Sequence, residues 1–175
     1  MGLVVDYLND DWYYHTDLTQ LRGELSWKFA QCHELGYRFM AGNGDSLSTT
    51  TLIDGDGEAV DDTLLLQPTD QHRFFYRRDL GGDGLVDLFL GTTDEEDTLY
   101  GVSIDTPLRG SLGLRTGFAY LDPSEADGLL GNRNESWNVS LSVVWRPCGK
   151  TGKRDGYYKP LFDVADNGTF MVDRN

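Results

Sequence analysis

The sequence predicts an all-β protein, an antiparallel up-and-down meander of about eight strands that forms a β-barrel or part of a larger one. Apolar and polar residues alternate with a period of two along most of the chain, as in strands with one apolar face. No segment shows the 3.6-residue periodicity of an amphipathic helix. Glycine is abundant at 21 residues, whereas Ala, Glu and Lys are sparse, which disfavours a helical protein.

The alternation is clearest in the segment Ser136–Arg146. Its odd positions, from Trp137 to Trp145, are apolar, and its even positions are polar except for Val144. Leu21–Phe29 behaves in the same way. The remaining predicted strands are Leu3–Leu8, Leu35–Ala41, Gln71–Arg78, Leu85–Thr92, Tyr100–Asp105 and Ser111–Tyr120.

The connections between these strands fall into two sets. Alternate connections of a meander lie at the same end of the sheet. One set is short and defines a short-turn end: Ala30–His33, Asp79–Gly84 and Pro107–Gly110. The other set defines a long-loop end: Asn9–Asp17, Gly42–Asp70, Thr93–Asp97 and Asp122–Glu135. Short turns at one end and long loops at the other are typical of outer-membrane barrels.

The polar face of the strands carries charged residues, which we expect to face the lumen of a barrel. They are Arg22, Glu24, Lys28, Glu34, Arg38, Arg73, Arg77, Asp105 and Arg115, and Asp87 lies on the same predicted face. The apolar face carries aromatic residues near strand ends, as an interfacial girdle requires. The alternative is a soluble β-barrel or sandwich that turns these charges toward water and binds a partner through its long acidic loops.

The charge of the chain excludes nucleic acid as a partner. Fifteen Lys and Arg face 29 Asp and Glu, for a net charge of −14, and phosphate binding needs a basic face. Seventeen of the acidic residues fall in the long-loop segments Asn9–Asp17, Gly42–Gln67, Thr93–Asp97 and Asp122–Glu135. We therefore expect one strongly anionic rim, at which cations could collect. No apolar run approaches the 18 residues of a membrane-spanning helix.

The sequence predicts no enzymatic activity and no cofactor. Gly44–Leu47 reproduces the nucleophile motif of the GDSL hydrolases, but none of the three histidines follows an Asp at the required spacing. The acidic run that begins at Asp54 starts like a calcium loop, yet Ala59 and Leu65 replace the required Gly and Glu. The sequence therefore contains neither a hydrolase constellation nor an EF-hand.

The cysteines and the C-terminal residues lie at the short-turn end of the predicted meander. Cys32 and Cys148 both fall there, which permits a disulfide in an oxidising compartment, and two unrelated thiols are the alternative. Residues 1–147 are predicted to form the barrel or half-barrel. Residues 148–175 are predicted to form an extension at the short-turn end, whose apolar end docks onto another part of the molecule.

Several stretches of the chain are also similar to a known family. They are Val5–Tyr14 (VDYLNDDWYY), Asp17–Glu24 (DLTQLRGE), Phe74–Arg78 (FFYRR), Trp137–Val139 (WNV) and Pro160–Asp173 (PLFDVADNGTFMVD). They resemble an uncharacterised bacterial family of outer-membrane-like β-barrel proteins, over nearly the whole chain. Its members are roughly twice as long and carry an export signal. The family has no established activity, ligand or catalytic residue.

This resemblance implies that the chain corresponds to the C-terminal half of such a barrel. The implied location is the bacterial outer membrane, and the implied partners are outer-membrane lipid and a missing N-terminal half of the same barrel. The function expected from these observations is a structural or porin-like role without catalysis.

Overall fold

The computed structural model describes residues 1–11, 15–30, 32–53, 55, 59–80, 84–109, 111–124, 136–145 and 171–174. Every regular element among them is a β-strand. The strands are β1 (Gly2–Asp11), β2 (His15–Phe29), β3 (His33–Asn43), β4 (Ser46–Ile53), β5 (Ala59–Pro68), β6 (Gln71–Asp79), β7 (Leu85–Thr93), β8 (Thr98–Arg109), β9 (Leu112–Asp122), β10 (Ser136–Trp145) and β11 (Val172–Arg174). Within these residues, no helix is long and apolar enough to cross a bilayer.

Eight of the strands form one antiparallel sheet, the main sheet. Its order is β1-β2-β3-β6-β7-β8-β9-β10, and every pair of neighbours is antiparallel. The sheet curls into a half-barrel, with β1 and β10 at its two edges. The predicted all-β meander of about eight strands is therefore confirmed.

The connection predicted over Gly42–Asp70 is wrong as a loop. It contains the antiparallel hairpin of β4 and β5, and β11 pairs with the other side of β5 to complete a three-stranded small sheet. The threonines and the isoleucine of β4 favour a strand. The polar run Ser48–Thr51 in β4 and the adjacent residues Asp61 and Asp62 in β5 interrupt the alternation that would have shown these strands in the sequence.

The long-loop end also differs from the prediction at β1. The segment Asn9–Asp17 is mostly strand, because β1 and β2 stay paired as far as Asp11 and His15. The end of the C-terminal extension lies at the long-loop end, not at the short-turn end. There β11 pairs with β5, and Thr69 N donates to Met171 O at 3.0 Å. Residues 146–170 lie outside the described part of the chain.

Candidate functional site

The two faces of the main sheet have opposite chemistry. One face, here the inner face, carries buried side chains, and the other, the outer face, carries exposed ones. Every strand of the main sheet exposes large apolar or aromatic side chains on the outer face. The inner face buries more charged and polar side chains than apolar ones. Charged residues are almost never fully buried unless they are paired.

The structure places all nine of the predicted lumen-facing residues on the inner side of the alternation, although not equally deep. Arg22, Glu24, Glu34, Arg38, Arg73 and Arg77 are buried. Asp105 and Arg115 are half-buried, and Lys28 is exposed near the short-turn end of β2. That this face lines a lumen stays a prediction.

The centre of the inner face consists of three parallel rows of side chains that cross the strands. The strand register places Glu34, Arg77 and Asp87 opposite one another in the first row. The third row runs from Glu24 through Arg38 and Arg73 to Gly91. The row between them is Gly36, Phe75, Phe89 and Gly101. Two charged rows therefore flank one aromatic row.

Arg77 links the two charged rows. Its Nη2 lies 2.8 Å from Asp87 Oδ2, and its Nη1 lies 3.2 Å from Glu24 Oε1 and 3.4 Å from Glu34 Oε1. Arg38 joins the same group, with its Nη2 at 2.8 Å from Glu24 Oε2 and at 3.6 Å from Asp87 Oδ2. Three buried carboxylates thus share two guanidinium groups, and we call these five residues the ion network.

The guanidinium groups of the two arginines of the ion network both lie over the phenyl ring of Phe75. The guanidinium carbons of Arg38 and Arg77 lie 5.1 and 4.6 Å from the centre of the ring. A cation over an aromatic face is stabilised most where water is excluded. The aromatic row therefore supports the charged rows on both sides of it.

The glycines of the aromatic row make room for its rings. A Cβ atom on Gly36 would lie 2.3 Å from Phe75 Cζ and 2.6 Å from the backbone oxygen of Leu25. A Cβ atom on Gly101 would lie 2.5 Å from Phe89 Cζ. Each phenyl ring thus packs closely against a glycine on the neighbouring strand, an approach that no larger residue permits.

We expect Gly36→Ala to lower the free energy of unfolding by about 1–3 kcal/mol, the usual cost of overpacking. The added methyl group meets backbone as well as the Phe75 ring, so neither neighbour can move aside freely. Urea unfolding followed by tryptophan fluorescence measures the change. Gly84→Ala is the matched control, because the nearest atom to its Cβ would be 3.6 Å away. Equal stability of the two variants would contradict the packing described here.

Arg22 forms a second group near the long-loop end. Its Nε lies 2.6 Å from Asp6 Oδ2 and donates to Gln20 Oε1 at 3.0 Å. Gln20 Nε2 in turn donates to the backbone oxygen of Thr69 at 3.0 Å. This chain of contacts connects the inner face to the residue that follows the small sheet.

The small sheet meets the inner face at the same end. Pro68, the last residue of β5, lies over Gly42 of β3, where a Cβ would be 2.5 Å from the ring of the proline. The backbone nitrogen of Gly42 also donates to Asp70 Oδ1 at 2.5 Å. Leu18, Met40 and Leu66 are buried in this region. The long-loop end of the inner face is therefore held by apolar packing as well as by polar contacts.

Arg73 is fully buried on the third row. Its Nη2 donates to Gln71 Oε1, and its guanidinium lies 4.5 Å from the centre of the Phe89 ring. The register sets Arg73 directly opposite Arg38, and like charges in such positions repel. The contact with Phe89, on the side away from β3, gives the Arg73 cation a partner there.

The remaining predicted residues form separate pairs. Arg115 Nη2 lies 2.7 Å from Asp105 Oδ2, directly across β8 and β9. Lys28 Nζ lies 3.1 Å from Asp79 Oδ2 in a largely exposed pair. The structure thus brings the central residues together and leaves Lys28, Asp105 and Arg115 outside the ion network.

Sequence reasoning missed four groups that complete the inner face. They are the glutamines Gln20 and Gln71 and the phenyl rings Phe75 and Phe89. The signal for the rings was present, because each stands at a polar position of its strand and opposite a glycine in the neighbouring strand. Among the described residues, no three His, Cys, Asp or Glu side chains are grouped to hold a metal ion.

The outer face carries aromatic side chains at two levels. At the long-loop end, Tyr100, Tyr120 and Trp137 lie opposite one another on three neighbouring strands. At the short-turn end, Trp27 of β2 and Trp145 of β10 are both exposed. Aliphatic side chains cover the outer face of β10 between these levels.

A comparison with known protein families matches residues 1–172 of this chain. The chain belongs to DUF6666, a family of unknown function. No curated protein and no solved structure matches the DUF6666 chain. The family match covers the main sheet and reaches the first residue of β11.

The predicted disulfide of the DUF6666 chain stays a prediction. Cys32 has a free thiol in the structure. Its predicted partner Cys148 lies outside the described residues. Asp54, Asp56 and Glu58 of the calcium-like run also lie outside them. Ser46 of the GDSL-like motif is the first residue of β4.

Proposed function

We propose that this DUF6666 chain forms the wall of a membrane-spanning β-barrel of the bacterial outer-membrane type. Its role is structural or porin-like and not enzymatic, and its main partner is the lipid of the outer membrane. The exposed apolar outer face carries the proposal. Soluble monomers rarely expose continuous apolar patches larger than a few hundred Å², whereas the lipid-facing surface of a barrel carries a continuous apolar band.

The dimensions of β10 support a lipid-facing band. Trp137 and Trp145 begin and end the outer side of this strand, and they are 68% and 66% exposed. At a rise of about 3.3 Å per residue, about 26 Å of strand separates them. Val139, Leu141 and Val143 lie between them on the same face. The strands of an outer-membrane barrel tilt by about 45°, so each needs about 9–11 residues to cross the membrane, and β10 has 10. The apolar residues of such strands lie between two aromatic girdles.

The inner face supports the same proposal from the other side. Barrels of this type alternate apolar residues toward lipid with polar residues toward the interior. The ion network, the two glutamines and the pair of Arg115 with Asp105 all lie on the inner side of that alternation. They would give the barrel a polar interior wall.

The rim would select for cations. Exposed carboxylates lie at the long-loop end of the described chain, namely Asp17, Asp45, Asp61, Asp94, Glu96 and Asp122. A rim of one sign raises the local concentration of counter-ions. We therefore propose that the long-loop end repels anions and collects cations.

Quenching of tryptophan fluorescence by brominated lipid tests the proposal. The chain is folded into phosphatidylcholine vesicles whose acyl chains carry bromine at defined depths. Trp27, Trp137 and Trp145 are exposed on the outer face, so we expect strong quenching by shallow bromine. A Trp137→Phe, Trp145→Phe variant should retain less of this quenching than wild type.

The soluble alternative gives the opposite result in the same experiment. A stable monomer that stays in the aqueous phase after detergent-free preparation, with fluorescence unaffected by brominated lipid, would overturn the membrane proposal. It would favour a soluble β-sheet protein that binds a partner through its acidic loops.

A further inference from the structure

The two edges of the main sheet are the feature that the proposed function leaves open. Each edge strand is 10 residues long. Among the described residues, β1 pairs only with β2 and β10 pairs only with β9, so each has one edge without a partner strand. In hydrocarbon, each unpaired backbone N–H or C=O group costs several kcal/mol. A membrane-spanning form of this sheet therefore needs a strand against each edge.

The sequence of β10 does not protect it against pairing. Natural edge strands are usually blunted by Lys, Pro, bulges or inward-pointing charges. The segment Ser136–Trp145 contains no charged residue and no proline, and its pairing with β9 is regular along all 10 residues. Its inner-face residues Ser136, Asn138 and Ser142 are exposed. The β1 strand of the same chain therefore does not cover them.

We infer that a second copy of this chain completes the barrel, with β10 of each copy pairing with β1 of the other. This inference rests on the proposed membrane-spanning function. The β1 strand runs toward the long-loop end and β10 runs away from it, so the new pairs are antiparallel like all the others. The two strands are equally long.

The faces of the two edges also match. On the outer side, Leu3, Val5 and Tyr7 of β1 are exposed and apolar or aromatic, as are the outer residues of β10. On the inner side, Asp6 is the only charged residue between Gly2 and Asn9. It is paired with Arg22. Pairing between copies therefore continues the apolar band and brings no like charges together.

A ring of two copies contains twice the eight strands of the main sheet. Barrels of about 16–18 strands leave an aqueous channel, whereas barrels of about eight are filled by side chains. The second copy thus decides between the two roles of the proposed function, in favour of the porin-like one. The ion networks of both copies would line the channel wall.

Disulfide cross-linking between copies tests this inference. In a Cys32→Ser, Cys148→Ser background, an affinity-tagged chain carries Val5→Cys and an untagged chain carries Val139→Cys, Leu141→Cys or Val143→Cys. The chains are mixed unfolded, refolded together in detergent and oxidised. We expect a tagged–untagged dimer for at least one of the β10 positions. Light scattering should give a protein mass twice the 19.6 kDa of one chain.

The control replaces the β10 cysteine by Leu88→Cys, on the outer face in the middle of the sheet. It should give no dimer with Val5→Cys. A chain with both Val5→Cys and Leu141→Cys that forms only an internal disulfide, with the mass of one chain, would overturn the inference in favour of an eight-stranded barrel that closes on itself.

Two other results would also overturn the inference. A mass of one chain with no disulfide would indicate that strands from an N-terminal half of a longer protein pair with the two edges. A mass above two chains would indicate a larger ring. Quenching by brominated lipid is read separately. If the quenching is strong and the cross-link is absent, the membrane proposal stands and only the second copy is wrong.

Discussion

Replacing Arg77 by methionine is expected to lower the free energy of unfolding by roughly 3–5 kcal/mol, the usual cost of leaving buried charge without its partner. Arg77 contacts all three carboxylates of the ion network and the face of Phe75. Without it, Glu24 and Asp87 share the single guanidinium of Arg38. Urea unfolding in detergent micelles, followed by tryptophan fluorescence, measures the loss.

Two control variants test whether the loss of stability is specific to the ion network. Each removes a positively charged side chain that lies outside it. Arg115→Met breaks a half-buried pair, so we expect a loss of about 1 kcal/mol. Lys28→Met breaks a largely exposed pair and should change stability by less than about 1 kcal/mol. If Arg77→Met costs no more than Lys28→Met, the ion network does not stabilise the fold.

A double variant measures the interaction energy between two members of the ion network. Asp87→Asn removes the carboxylate that lies closest to the Arg77 guanidinium, at 2.8 Å. The combination Arg77→Met, Asp87→Asn should therefore lose less stability than the sum of the two single variants, since residues in one charged group do not act additively. Additive losses would show that the two groups act independently.

The face of each residue in the main sheet could be predicted from the sequence, because a period of two assigns every position of a regular strand. Arg22, Arg38 and Arg73 lie on the inner face for that reason alone. The depth of burial could not be predicted in the same way. Lys28 lies on the same face as Arg22. It is beyond the end of β1, however, because the pairing of β1 with β2 stops at Gly2 and Glu24.

The ion network itself could not be predicted from the alternation. Arg77 and Glu24 are far apart in the chain and two strands apart in the sheet, and they meet because the hairpin of β4 and β5 is skipped when β3 pairs with β6. The prediction of Gly42–Asp70 as a loop still placed β3 next to β6. It did not include the small sheet of β4, β5 and β11. The position of β11 depends on a free edge of β5 that did not exist in the predicted fold.

The second large effect is expected on the outer face, where Leu141→Arg should lower stability in lipid by about 2–4 kcal/mol, the cost of arginine at the bilayer midplane on the lipid side of a barrel. Leu141 lies midway between Trp137 and Trp145 and is 72% exposed. In a water-soluble protein the same change replaces an exposed leucine by a solvated cation, which costs little. Urea titration in phosphatidylcholine vesicles measures the difference.

Leu47→Arg is the matched control for this prediction. Leu47 is 70% exposed, but it lies in β4 of the small sheet, outside the band between the aromatic levels. Its replacement should change stability by no more than about 0.5 kcal/mol in vesicles, as for an ordinary surface position. Because the two leucines differ little in exposure, only the surroundings of the outer face separate them. Equal effects of Leu141→Arg and Leu47→Arg would mean that water and not lipid covers the outer face of the main sheet.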